Sequence, residues 1–262
     1  MGSYNMRVQN MITVFTCKDE FEDMMTCIYD AWNSRLGHSN IRLMIEPIAE
    51  PELFCEYSHI AANPQKVVKV VRSIQKKISY HAYQTIYSAA MSFRSDKLDI
   101  IYRFLILGFH YGPAIMDMLQ EPAVMAAFEL NRKVGNEAHY FKEFIRFSSV
   151  DNRFFISHIE PKCNVLTLVA PHFSDRMPSE NWMIIDDKRH LAAVQTADES
   201  YYLTPLGDGE FTQLLETKHQ PDIFIDLWKG FFQTIAIEER ANYRCQRNMM
   251  PLWYRKNAIE FL

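Results

Sequence analysis

The hydrophobic periodicity changes part-way along this chain, and that change constrains the fold more than any other feature. Between residues 64 and 146 apolar side chains recur three and four positions apart, whereas from 153 stretches of strict alternation such as RFFISHIE appear. A 3.6-residue period buries one stripe of a helix, and a two-residue period buries one face of a strand. The expectation is an α+β chain. It comprises an N-terminal β-α-β and helical part over residues 1–150, then a small antiparallel sheet with a C-terminal helix over 151–262. These parts are either two domains or one continuous domain.

The opening MITVFTC (11–17) is β-branched and apolar, as a strand requires. The segment after it sets Phe21, Met25, Ile28 and Trp32 on one helical stripe, with Asp19 as the expected N-cap and Gly37 past the end. IRLMIE (41–46) reads as a second strand. No GxGxxG turn joins these elements, so the dinucleotide-binding reading fails. Pro64 suits a first helical turn ahead of Val67, Val71, Ile74 and Ile78. Breaks are expected near Gly112-Pro113 and Glu121-Pro122, after which Val134, Ala138, Phe141 and Ile145 form a buried stripe. RFFISHIE alternates, WMIIDDKRHLAAVQT reads as a hairpin turning at Asp187-Lys188-Arg189, and YYLTPL adds a strand. NVLTLVAPHFSDRMP is expected to form a short helix in spite of Pro171. A final helix starts at Pro221, with Ile223, Leu227, Phe231 and Ile235 expected to face the core.

Charge is segregated along the chain. The net charge is −4, yet Tyr57 to Ser95 contains no acid and carries Lys66, Lys69, Arg72, Lys76, Lys77 and Arg94. From Arg240 onward five cations stand against Glu260 alone. Such separation suits a polyanionic partner, while the overall acidity argues against indiscriminate coating of nucleic acid. The 5 cysteines are scattered and form no CxxC pair, so neither a zinc knuckle nor a disulfide framework is suggested and a reduced, cytoplasmic setting is expected. No apolar run approaches the roughly 20 residues that span a bilayer, so no membrane partner is expected.

Among candidate sites, Arg240, Arg244 and Arg247 fall at i, i+4 and i+7. If the last helix runs past 240, they share one face suited to phosphate oxygens. Tyr243, Trp253 and Tyr254 lie near enough in sequence to stack on bases, with Arg255 and Lys256 beside them. The alternative is a solvated face paired with Glu238, Glu239 and other acids. Lys66, Lys69 and Lys76 make a second basic surface that is equally compatible with solvation. His139 with Glu143, and His172 with Asp186, are the acid–base candidates. A His–Glu pair at i, i+4 is more often structural, and carboxylates at a hairpin tip are more often turn residues. No P-loop, GxSxG elbow, HExxH or zinc-deaminase signature occurs, so no catalytic motif, metal site or cofactor is implied.

Three stretches, EAHYFKEFIRF (137–147), IEPKCNVLTLVAPHFSDRMPSENWMIIDD (159–187) and ANYRCQRNMMPLWYRKNAIEF (241–261), together resemble a bacterial domain-of-unknown-function family labelled probable DNA metabolism protein. Arg146, Phe147, Pro161, His172, Phe173, Arg176, Trp182, Asp186, Gln246, Arg247, Pro251, Tyr254, Arg255 and Glu260 carry the match. The resemblance implies a gene beside a radical SAM protein and relatives fused to a uracil-DNA glycosylase-type domain. It supplies positions without roles. This chain has no CxxxCxxC for an iron–sulfur cluster, so radical chemistry would belong to the partner. The resulting expectation is a DNA-binding or adaptor component of a repair or modification system, working with a radical SAM protein. The alternatives are a nuclease or base-processing hydrolase, in which the candidate acid–base groups meet in one pocket, and a protein–protein adaptor.

Overall fold

The computed structural model describes residues 12–48, 50–51, 53–150, 153–216, 223–258 and 261. Met11, Pro221 and Glu260, named above, lie outside the described residues, as do the side chains of Ile223 and Glu238. The chain is α+β and divides into two compact units, one ending at Val134 and one starting at Gly135.

In the first unit, β1 (Ile12–Cys17), α1 (Phe21–Asn33) and β2 (Ile41–Ile45) form the expected strand–helix–strand unit. β1 is central, with β2 and β3 (Cys55–His59) parallel on either side. β3 escapes sequence reading because CEYSH is too polar to show a strand pattern, and main-chain pairing with β1 holds it. The expected Asp19 cap is corrected. Glu20 precedes α1 with no side-chain capping bond, while Asp19 pairs at 2.5 Å with the buried ammonium of Lys97. Helices α2 (Pro64–Lys77), α3 (Tyr80–Ala90) and α4 (Lys97–Tyr111) follow. The Asn63 side chain accepts from the N–H groups of Gln65 and Lys66, and Pro64 stands in the first turn. α4 passes close to the end of α2 at Gly108, where an added Cβ would lie 2.6 Å from Ile78 Cδ1. The chain breaks at the expected prolines, through a 3₁₀ segment Gly112–Asp117, before α5 (Pro122–Phe144).

The unit boundary falls inside α5, whose Ala138 and Phe141, with Ile145 just past its end, are buried as the stripe predicts. Five strands follow in sequential order: β4 (Ser148–Val150), β5 (Phe154–Ile159), β6 (Trp182–Asp186), β7 (Leu191–Gln195) and β8 (Tyr202–Pro205). The antiparallel expectation needs one correction: β5 and β6 are parallel, so the sheet is mixed. The cause is α6 (Leu166–Arg176), which forms despite Pro171 and carries the chain back to the end where β5 began. The hairpin of β6 and β7 stands where expected. α7 (Asp208–Glu216) packs Phe211 and Leu214 against the Ile156, Ile185, Ala192 and Val194 cluster.

Two expectations about the C-terminus are overturned. On α8 (Ile223–Ile235), Leu227, Phe231 and Ile235 are 62%, 54% and 56% exposed instead of facing the core. Ile225, Lys229 and Phe232 are the half-buried face. The helix is apolar around most of its circumference, so periodicity alone picked the wrong side. The helix also stops at Ile235, and a 3₁₀ turn Glu238–Arg240 follows. Asn242, with φ −130 and ψ 88, then accepts from the N–H of Cys245 at 2.9 Å and starts a new helix, α9 (Tyr243–Met249). Arg240 therefore shares no continuous helix face with Arg244 and Arg247.

Candidate functional site

The chemistry-bearing groups of the second unit gather where β5 and β6 end. These strands are parallel and adjacent, with Ile159 opposite Asp186. Carboxyl ends of parallel strands are the usual location of ligand sites in α/β sheets, because the loops diverge there. The loop after β5 is held from two directions. Glu137 of α5, itself 7% exposed, accepts the N–H groups of Lys162 at 2.7 Å and Cys163 at 2.9 Å. Arg189 donates to the carbonyl oxygens of Lys162 at 2.6 Å and Pro161 at 3.4 Å.

Asp186 anchors that arginine. Its carboxylate is fully buried, takes a bond from Arg189 Nη1 at 2.8 Å, and accepts the N–H groups of Lys188 and Arg189. Burial pushes its carboxyl above the ordinary carboxylate value, and the Arg189 charge opposes the shift. Asp187, one residue on, has a different partner. Its Oδ1 lies 2.7 Å from Nδ1 of His158, and its N–H donates to the Ile159 carbonyl at 3.0 Å. His158 is 7% exposed, and its other nitrogen, Nε2, is buried with no hydrogen-bond partner among the described residues.

The C-terminal segment closes over this end of the sheet. Pro251 ends α9 and leads into a 3₁₀ segment Leu252–Asn257, the separate element that the proline predicts. Arg255 is internal: Nε donates to the Met250 carbonyl at 3.0 Å, Nη1 to Gln246 Oε1 at 3.4 Å, and the guanidinium lies 4.5 Å from the Phe261 ring centre. Arg255 and Gln246 thus hold the tail in shape. Tyr254 packs on Tyr140 and Phe141, with ring centroids 4.7 and 5.2 Å away, and burial first, then Glu137, raises its phenol. Trp253 is 38% exposed, with the ammonium groups of Lys162 and Lys256 at 4.8 and 4.5 Å from its ring centre. Lys256 also bonds Glu160 at 3.0 Å.

Phe141, Phe144, Arg146, His158, Glu160, Trp253, Tyr254 and Lys256 line a narrow cleft together with Ile145 and Ile159. Its interior void is about 10 Å³, enough for a single water. Arg240, Arg244 and Arg247 are exposed and make no ion pair among the described residues, and Tyr243 is 72% exposed.

The acid–base pairs read from sequence do not meet there. His139 and Glu143 contact each other at 3.1 Å on the exposed face of α5. His172 is half-buried on α6 with its ring edge-on to Phe173, and Asp186 is consumed by its turn and Arg189. Arg146 donates to the carbonyls of Glu143 and Ile145 and lies over Trp228. Arg176 is exposed in the last turn of α6, and Trp182 is wholly buried beside Tyr201. His158, Glu137 and Lys162 were missed, and Asp187 was read as a turn residue. The available signal was a histidine inside the apolar alternation of RFFISHIE, directly before Glu-Pro.

The first unit carries the second basic surface. Lys66 bonds both oxygens of Asp30 at 2.7 Å. Lys69 and Lys77 instead line an open groove of about 300 Å³ with Tyr29, Trp32 and Phe109. Among the described residues no group of His, Cys, Asp and Glu could hold a metal ion, and no helix is long and apolar enough to cross a membrane.

A comparison with curated proteins finds no match. A model of the family described as "Domain of unknown function (DUF4130)" matches residues 95–260, which include every element of the candidate site. The chain belongs to this domain-of-unknown-function family.

Proposed function

We propose that this protein is a nucleic-acid-binding component of a DNA repair or modification system. The observation that carries the reading is the number of exposed cations in the C-terminal part of the second unit. Lys162 and Lys256 are held over Trp253, and Arg240, Arg244 and Arg247 are exposed without partners among the described residues. Guanidinium and ammonium groups on such a surface bind phosphates in any sequence, with salt-dependent affinity. Trp253 acts here chiefly as a platform that fixes two lysines. A base stacking on it would displace one of them, so Tyr243 is the freer stacking ring. The lysine and aromatic groove of the first unit adds a separate surface of the same chemistry.

DNA as the polyanion and a radical SAM protein as the partner are what the sequence resemblance to a family labelled probable DNA metabolism protein implies. That partner would supply the iron–sulfur cluster for which this chain has no cysteine motif. Fluorescence anisotropy with labelled single-stranded and duplex DNA, repeated across a salt series, tests the reading. Replacing Arg240, Arg244 and Arg247 together by Glu should weaken binding and flatten the duplex salt slope by about 3 × 0.9. A folded triple variant that binds as wild type does, with an unchanged slope, removes the arginines from the interface. Retention of a co-expressed radical SAM protein after nuclease treatment would favour a pure protein adaptor.

A further inference from the structure

We propose that His158 and Asp187 form a proton-accepting dyad that activates a water in the cleft for hydrolysis of a phosphodiester. Three independent features converge on it. The first is orientation: an ionised Asp187 2.7 Å away makes Nδ1 the donor, so in the neutral ring it is Nε2 that carries the lone pair. The second is vacancy of a bond: Nε2 is buried, unpartnered among the described residues, and belongs to a side chain lining a void that admits one water. The third is position: both residues stand at the carboxyl ends of adjacent parallel strands, braced by the Asp187 N–H bond to Ile159.

An acid-side carboxylate, an oriented imidazole and a site for the nucleophile are the parts that general-base catalysis requires. In the step, one O–H bond of the water breaks and its proton passes to Nε2, while Asp187 stabilises the imidazolium. The oxygen lone pair forms a new P–O bond, and the bond from phosphorus to the departing oxygen breaks. That oxygen takes a proton from solvent on the open side, and the imidazolium returns its own proton to solvent. The products are a phosphomonoester and an alcohol, with no oxidant or reductant consumed. Lys256 lines the cleft and Lys162 shares the Trp253 ring with it, so these two cations would take the phosphoryl oxygens of a diester at its mouth, and Glu160 must release Lys256 for that contact. The proposal rests on the nucleic-acid reading only for the identity of the natural diester.

The charged and titratable groups around the imidazole are Asp187 from the β6–β7 turn, Arg146 past α5, Glu160 past β5, and Tyr254 and Lys256 from the 3₁₀ segment. Only neutral imidazole accepts a proton, so protonating the ring should stop the step, and the rate should rise with pH until the ring is neutral and then level.

The test uses the full chain in EDTA, with bis(4-nitrophenyl) phosphate and end-labelled DNA oligonucleotides as separate substrates. Wild type should hydrolyse the small diester with that rising profile. His158→Asn should lower the rate by about 100-fold or more. Asp187→Asn should lower it and displace the pH profile, which a merely structural residue would not do. Hydrolysis of the small diester without the oligonucleotides would retain the dyad and sink the nucleic-acid assignment. Absence of wild-type hydrolysis on both substrates overturns the dyad, as does a flat profile. The wild-type profile needs no variant, so it decides the matter even if His158→Asn fails to fold.

Discussion

Replacing Glu137 by alanine should cost the second unit a large share of its stability, because one carboxylate holds the loop on which the candidate site depends. The carboxylate accepts N–H groups at 2.7 and 2.9 Å and is 7% exposed. The two amides are not equivalent: Cys163 is buried, while Lys162 is exposed and its N–H can be reached by water once the acceptor is gone. The Cys163 amide should therefore lose its bond without replacement, at about 1–3 kcal/mol, and the Lys162 amide should add about 1 kcal/mol. The sum is about 2–4 kcal/mol, against a typical domain stability of about 5–15 kcal/mol. Glu137→Gln keeps one acceptor oxygen but turns an NH₂ toward the second amide, so it should lose about half as much. Urea denaturation followed by tryptophan fluorescence reads this unit, since Trp182, Trp228 and Trp253 lie in it and only Trp32 lies in the other. Amide exchange at Lys162 and Cys163 should quicken in parallel. A Glu137→Ala midpoint within about 0.5 kcal/mol of wild type, with unchanged exchange at both amides, would refute the clamp.

Two further outcomes concern the first unit. Hydrogen bonds from Thr16 and then His59 hold the Glu46 carboxyl below its ordinary value of 4.5. A depressed carboxylate contributes stability that is present above pH 4.5 and lost as pH falls through its folded value. Glu46→Gln should therefore flatten the acid limb of the stability curve, and an unaltered limb in pH-dependent denaturation would sink the assignment. Cys27 is buried, and its thiol is raised first by the bond with Cys17 and then by burial, whereas Cys245 is exposed. Iodoacetamide on native protein should label Cys245 first and Cys27 only on unfolding, as peptide mapping would show. Early labelling of Cys27 contradicts that burial.

Much of the architecture was legible because it rests on local rules. Pro64 in a first helical turn, the breaks at Gly112-Pro113 and Pro122, and the Asp187–Arg189 turn are short-range chemistry that the structure repeats. The error on α8 arose because periodicity reports a stripe without saying what covers it. α8 has apolar residues on several sides, so Leu227 and Phe231 looked like core and are exposed. The arginine row failed for a different reason. One capping asparagine, Asn242, outweighed the helical spacing by opening a new helix between Arg240 and Arg244. The site was the least legible part, because His158 and Asp187 are 29 positions apart and meet only through the parallel β5–β6 pairing. A parallel pair requires a crossover, and sequence reading had assigned these strands to an antiparallel sheet.

That pairing also explains why two consecutive aspartates do different work. Side chains alternate across a strand, so neighbours at its end face opposite ways. Asp186, the last residue of β6, turns into the protein, where Arg189 and two N–H groups hold its buried carboxylate. Asp187, the first residue beyond the strand, turns to His158 instead. The division has a directional consequence for mutagenesis. Asp186→Asn keeps an acceptor for the turn amides but gives up the charge partner of Arg189, so it should loosen the Pro161–Lys162 loop and lower stability. Asp187→Asn leaves that loop clamped and changes what faces the imidazole. Separable effects of the two substitutions would show one aspartate building the site and the other serving it, whereas matching losses of stability would make both of them parts of the turn.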